Sequence, residues 1–287
     1  MSNLYTTPLT SSVQPSTPII SRQSSTHTTN TNFLTAFNTH PQLMTQLMTL
    51  LLNRLLAQIN QPTPAPTPAP TPTTTPATKV IDIYLLGGQS NAGGLGAPRL
   101  EKALETELGA DTAQHEIKVF KSTQGGTNLY AQWKADGTND SRADGSVYRS
   151  FQKDLNSYLA EVKKDNPNAD IRIAGMFWHQ GESDALSPLV NQNAYGENLT
   201  RFIKDVRATT GVADLPFIIG RLSDKQQMMS AASIDRIQAG QDAAAAADPR
   251  AVAVPLEEAQ VSGIHFTGKG YNTMASLLAQ AYKANFT

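Results

Sequence analysis

The stretch Val80-Ile-Asp-Ile-Tyr-Leu-Leu-Gly-Gly-Gln-Ser-Asn-Ala-Gly-Gly94 decides how the chain is read. A run of β-branched and large apolar residues bounded by glycines reads as a buried strand, and Gly87 and Gly88 give the backbone freedom for a tight turn out of it. Such a turn lifts the next side chain clear of the sheet end, where open α/β sheets collect reactive groups. Ser90 is therefore a candidate nucleophile. Taken alone, Gly-Gln-Ser-Asn is equally the composition of an ordinary loop, so the weight falls on what surrounds it.

Downstream, short β-type runs alternate with longer helical patterns. Strands are expected at Val80 to Leu86, Ile117 to Ser122, Asp170 to Trp178, Leu215 to Gly220 and Ala251 to Pro255. Helices are expected at about Val147 to Lys164, Tyr195 to Thr210, Ser230 to Ala247 and Lys269 to Lys283. This alternation argues for a parallel sheet covered by helices on both faces, because each parallel connection needs a crossover. Five strands fit a flavodoxin-like order in a domain spanning residues 79–287. Ala97 to Glu116 and the polar segment Ala131 to Ser146 read as surface excursions that wall a substrate cleft.

Upstream, residues 1–32 are crowded with Ser, Thr, Asn and Pro and are expected to be a disordered tail. That stretch has neither the basic start nor the apolar core of a secretory signal, so none is expected there. Residues 33–60 carry Phe33, Phe37, Met44, Leu47, Met48, Leu51, Leu55 and Ile59 at helical spacing, giving an amphipathic helix, or two separated near Pro41. Its strongest part, Leu43 to Ile59, includes Thr45, Gln46, Asn53, Arg54 and Gln58, too polar for a membrane span. Its expected uses are self-association or docking to a partner, or packing on the catalytic domain, with membrane-surface binding or export as the remaining alternative. Residues 61–78 form a Pro-Thr-Ala repeat, an extended polyproline II linker.

A formal net charge of -1 over 287 residues gives no general affinity for nucleic acid or anionic membrane. The chain has no cysteine, which rules out disulfides and thiolate chemistry and leaves the compartment open. Its five histidines include none at close metal-ligand spacing, so no metal is expected.

Three further clusters follow predicted strands. Ser122-Thr-Gln-Gly-Gly-Thr-Asn-Leu129 is a glycine turn whose N–H groups can face a developing oxyanion. Phe177-Trp-His-Gln-Gly-Glu-Ser-Asp184 puts an amide and two carboxylates at one strand end; on an extended backbone Gln180, Glu182 and Asp184 project to one side and His179 to the other. Ser262-Gly-Ile-His-Phe-Thr-Gly-Lys-Gly270 holds His265 before the last helix, with Thr267 as N-cap. A serine, an amide, a glycine turn and a histidine at strand ends supply nucleophile, oxyanion donors and base.

Gly88-Gln-Ser-Asn91, Gly125-Gly-Thr127, Trp178-His-Gln-Gly-Glu-Ser-Asp184 and Gly263-Ile-His-Phe266 together resemble the successive blocks of the SGNH hydrolase superfamily, in its sialate O-acetylesterase-like branch that includes carbohydrate esterase family six. The resemblance runs from about Val80 to the C-terminus. It implies a flavodoxin-like α/β/α fold and removal of O-acetyl groups from carbohydrate, such as acetylated xylan or a sialic acid, with no cofactor. By carry-over Ser90 is the nucleophile and His265 the base, and Gly126 and Gln180 join the Ser90 N–H in the oxyanion hole.

One position departs from the pattern. Where the superfamily usually has aspartate, three residues before the histidine, this chain has Ser262. Glu182 is the substitute acid suggested by some esterases of the branch, with Asp184, Glu257 and Glu258 as candidates on position alone. A degenerate carbohydrate-binding module and an adhesive protein working through its N-terminal helix are the rival classes.

Overall fold

The computed structural model describes residues 41–59, 78–110, 112–135 and 145–287. The chain divides into two compact units, Met1–Thr73 and Thr74–Thr287. In the first, helix α1 runs over Pro41–Ile59, starting at the proline, where a missing N–H costs nothing. Leu47, Met48, Leu50, Leu51, Leu52, Leu55 and Leu56 are exposed on it. Because Leu50, Leu51 and Leu52 are consecutive and a helix turns every 3.6 residues, the apolar surface wraps round the helix and is not confined to one stripe. No described helix is long and apolar enough to cross a membrane. The expected tail, the residues before Pro41 and the linker up to Ala77 lie outside the described residues.

The second unit is built as β1 (Val80–Gly88), α2 (Ser90–Leu95), α3 (Ala97–Leu108), β2 (His115–Thr123), α4 (Ser146–Asp165), β3 (Asp170–His179), α5 (Glu182–Ala185), α6 (Leu189–Thr210), β4 (Phe217–Gly220), α7 (Ala231–Ala246) and β5 (Ala251–Val254). A short hairpin of β6 (Val261–Ser262) and β7 (His265–Phe266) then leads into α8 (Gly268–Phe286). The five main strands are parallel in the order β2-β1-β3-β4-β5, the flavodoxin-like arrangement expected from the alternation.

Strand β1 shows why this stretch lies at the centre. Ile81, Ile83 and Leu85 face the cluster containing Phe151 and Leu155 of α4 and Leu199 and Phe202 of α6. Tyr84 and Leu86 face the opposite cluster, with Leu100 and Leu104 of α3 and Met274 and Leu278 of α8. Both faces are covered, which is why the strand reads as continuous apolar sequence. The exception is Asp82, whose carboxylate accepts from Arg172 Nε at 2.9 Å and Nη2 at 3.2 Å and lies 2.7 Å from His115 Nε2. A largely buried charge persists only with such partners.

One expected excursion needs correction, and most of the other lies outside the described residues. Ala97 to Glu116 is not a surface loop: α3 buries Leu100 and Leu104 one turn apart, and Pro98 sits in its first turn, where proline is tolerated. Of Ala131 to Ser146, residues 136–144 lie outside the described residues. Helices α4, α7 and α8 fall where the periodicity puts them, α6 begins earlier, at Leu189, and the short helices α2 and α5 were not expected; the side chain of Thr267 does cap α8, accepting from Gly270 N.

Gly88 ends β1 at φ 139°, and a Cβ there would lie 1.9 Å from the carbonyl oxygen of His179 on the neighbouring strand. Neither backbone can retreat without breaking the ladder. Gly88→Ala is expected to lower the melting temperature by about 10 °C or more, or to prevent folding. A variant melting like the wild type would show that the strands can part.

Candidate active site

Each motif block sits at the carboxyl end of a strand. Ser90 opens α2 directly after β1, the Gly125-Gly126 turn follows β2, Gln180 to Asp184 follow β3, and His265 lies on the hairpin beyond β5. The sheet order reverses between β1 and β3, and in open α/β sheets that switch point opens a crevice.

The central contact joins residues 175 positions apart: His265 Nε2 lies 3.1 Å from Ser90 Oγ. Ser90 is half-buried and His265 exposed. The glycine turn is beside them, since a Cβ added to Gly125 would come within 3.8 Å of the Ser90 Cβ. Among the described residues, the N–H groups of Gly125 and Gly126 have no acceptor. The structure thus brings together Ser90, His265 and the glycine turn.

The two other expected site residues take different positions. Gln180 is fully buried, and its Nε2 faces Gln89 Oε1 at 3.1 Å, the Thr127 carbonyl at 3.2 Å and Asp184 Oδ2 at 2.6 Å. An amide nitrogen has only two hydrogens, so both are taken up among these three acceptors, of which Asp184 is the shortest. The Thr127 hydroxyl accepts from Trp133 Nε1 at 2.9 Å, and Trp133 packs edge-on against Trp178 of β3 with centroids 5.0 Å apart. That packing fixes the glycine turn to the sheet.

Beyond Gln180 the chain is not extended. Gly181 has φ 149° and the single turn α5 begins at Glu182. The side chain of Glu182 is thereby turned into the core, fully buried, instead of towards His265. Its Oε1 accepts from Asn91 Nδ2 at 2.5 Å and Gln226 Nε2 at 3.2 Å, and lies 3.2 Å from His179 Nε2. His179 Nδ1 is 2.9 Å from the Gly220 carbonyl, so the ring is held between that carbonyl and the Glu182 carboxylate. Burial pushes the Glu182 carboxyl up, but His179 and the Asn91 amide outweigh it and hold it down at about 2.

Asp184 shows the opposite balance. Its carboxylate accepts from Leu129 N at 2.9 Å, Tyr130 N at 3.3 Å and Gln180 Nε2, tying down the loop that follows the glycine turn. Burial nevertheless pushes its carboxyl up to about 6, with the Glu182 charge adding to the rise. Glu257 is half-buried and Glu258 exposed. No described carboxylate forms an ion pair with His265.

Asn91 and Gln226 were not singled out by sequence reasoning. Asn91 follows Ser90 directly, and its Oδ1 accepts from Phe266 N and Tyr271 Oη while its Nδ2 donates to the Ile264 carbonyl and to Glu182. For Asn91, the adjacency to Ser90 was the available signal; nothing in the pattern around Gln226 marks it.

A family model described as carbohydrate esterase, sialic acid-specific acetylesterase matches residues 101–284. The chain belongs to this family. The matched range includes Gly126, Gln180, Glu182 and His265 and begins after Ser90. A curated relative, a probable carbohydrate esterase of Arabidopsis thaliana, is 26% identical over 147 residues, 50% of this chain and 53% of that protein. The chain therefore spans about half the length of the curated relative it matches. A crystal structure of an Arabidopsis thaliana protein aligns with a TM-score of 0.55 at 20% identity, over 72% of this chain and 99% of that one, and shares the fold. A carbohydrate acetylesterase from Xanthomonas citri aligns with a TM-score of 0.48 at 17% identity, over 71% of this chain and 56% of that one. Membership agrees with the SGNH resemblance carried by the four motif blocks.

The Asp184 carboxyl gives a pH signature. A carboxyl raised in the folded state contributes stability that is fully present below its unfolded value of about 3.9 and is lost as pH rises through about 6. The loss amounts to about 3 kcal/mol, so Asp184→Asn is expected to flatten the fall in stability between pH 4 and pH 7 by that order. Urea denaturation at both pH values checks this, and an unchanged slope would mean that Asp184 does not titrate there.

Proposed function

We propose that this protein is a serine esterase that removes O-acetyl groups from carbohydrate through an acetyl-enzyme. The observation that carries the reading is the 3.1 Å approach of His265 Nε2 to Ser90 Oγ beside a turn whose N–H groups have no acceptor among the described residues. Family membership supports the carbohydrate substrate class, with acetylated xylan and O-acetyl sialic acids as the first substrates to test. A binding module without turnover would have no use for the histidine–serine contact.

In this mechanism His265 Nε2 takes the proton of Ser90 Oγ as the oxygen attacks the acetyl carbonyl. The developing oxyanion is received by the Ser90 and Gly126 N–H groups. Gln180 completes the hole by fixing the Thr127 carbonyl and hence the turn that presents Gly126. Collapse of the tetrahedral intermediate expels the sugar oxygen, which takes the proton from His265. Water activated by the same histidine then releases acetate and regenerates Ser90.

Ser90→Ala is expected to lower turnover of an aryl acetate by at least about a thousandfold while leaving the melting temperature unchanged. Comparable rates for the two proteins would remove Ser90 from the chemistry. For Gln180→Ala the expected loss is on the order of a hundredfold in kcat, the effect of spoiling one oxyanion contact. Acetate release from a panel of acetylated xylan, acetylated monosaccharides and O-acetyl sialic acids ranks the substrates.

The leucines exposed on α1 support a second role, self-association or docking outside the catalytic unit. Deleting residues 1–77 should leave the rate on a small aryl acetate nearly unchanged and reduce the mass measured by light scattering. A truncated protein of unchanged oligomeric state would dismiss self-association through α1.

A further inference from the structure

His265 sits on a hairpin whose two strands are only two residues each, and nothing so short holds its shape unaided. The hydrogen bonds that hold it come from two other segments, the start of α2 and the loop after β4. The Ile264 carbonyl, next to His265, accepts from Asn91 Nδ2 at 3.0 Å and from Gln226 Nε2 at 2.8 Å. Gly263 O accepts from Gln227 N at 2.9 Å, and Phe266 N donates to Asn91 Oδ1 at 3.1 Å. The same two amide nitrogens, of Asn91 and Gln226, also donate to Glu182 Oε1. A buried carboxylate that takes one hydrogen from each amide leaves the other hydrogen aimed at Ile264, so it sets the rotamers of both side chains at once.

We propose that Glu182, Asn91 and Gln226 form a buried clamp on the Ile264 carbonyl, making Glu182 and Gln226 positioning residues for His265, whose ring has no carboxylate behind it among the described residues. This rests on the serine esterase reading and adds to it the residues that aim the base. The clamp supplies orientation, one of the two tasks of a triad acid; the other, a negative charge beside the imidazolium, is left unfilled. The vacancy is located. Ser262 is the cross-strand partner of His265 in the β6–β7 register, so its side chain is exposed on the same face of the hairpin.

Three measurements on the full chain test this. In Gln226→Ala, amide hydrogen exchange over residues 263–266 is expected to accelerate about tenfold, the effect of losing the neutral hydrogen bond to the Ile264 carbonyl. Unchanged exchange overturns the clamp whatever the activity does. In the same variant kcat for an aryl acetate is expected to fall on the order of a hundredfold with KM nearly unchanged, and Gln226→Asn, too short to reach both acceptors, should not rescue it. The loss should be shared with Glu182→Gln, the double variant falling well short of the product of the two losses; multiplicative losses overturn the common path. Ser262→Asp should raise kcat by about tenfold or more by filling the vacancy. No gain there means that a charge already stands behind His265, which overturns the second half of the proposal. Absence of turnover in the wild type would instead sink the esterase reading, while the exchange measurement would still decide the clamp.

Discussion

A negative charge buried beneath the strand ends is the constraint on which the site depends. The Glu182 carboxylate is removed from solvent, an arrangement costly enough that unpaired carboxylates are almost never found there. It persists because donors from three separate segments converge on one of its oxygens: Asn91 in α2, His179 at the end of β3 and Gln226 in the loop after β4. Each donor is held in turn, His179 by the Gly220 carbonyl and the two amides by Ile264. Removing the charge would leave these groups facing one another with no common acceptor, so the loops are in register only while it is present.

The sheet makes that convergence possible. With strand order β2-β1-β3-β4-β5, the ends of β1 and β3 are adjacent and the chain leaves them towards opposite sides. Gly88 lets β1 approach the β3 backbone closely, and Gly181 turns the chain so that Glu182 points inward. A second layer, Asp184 with Gln180, Trp133 and Thr127, anchors the loop after β2 to the same strand end. Nucleophile, glycine turn and base thus come from loops of independent sequence that share buried polar anchors.

Much of this was legible in the sequence. Strands, helices and their order follow from periodicity, because each element buries a face with its own repeat. Ser90, the glycine turn and His265 were legible because a reactive group at a strand end leaves glycines around it. The path after Gln180 was not. An extended continuation and a turn into the core differ only in the φ of Gly181, and glycine permits both. The polar clamp escaped for a related reason: Asn91 and Gln226 meet Glu182 and Ile264 across 38 to 173 residues of sequence, and amides carry no periodic signature. Helix α3 was obscured by its early proline, which marks a helix start as readily as a loop.

The place of Asn91 has a dynamic consequence. It is covalently joined to Ser90 and at the same time bonded to residues on both sides of His265, through the Ile264 carbonyl and the Phe266 amide. Any excursion of the hairpin is therefore transmitted to the residue adjoining the nucleophile, and the two reacting groups drift together as one body. Their separation is steadier than the position of either, so an exposed histidine on a two-residue strand can keep catalytic distance from its serine while the hairpin itself breathes.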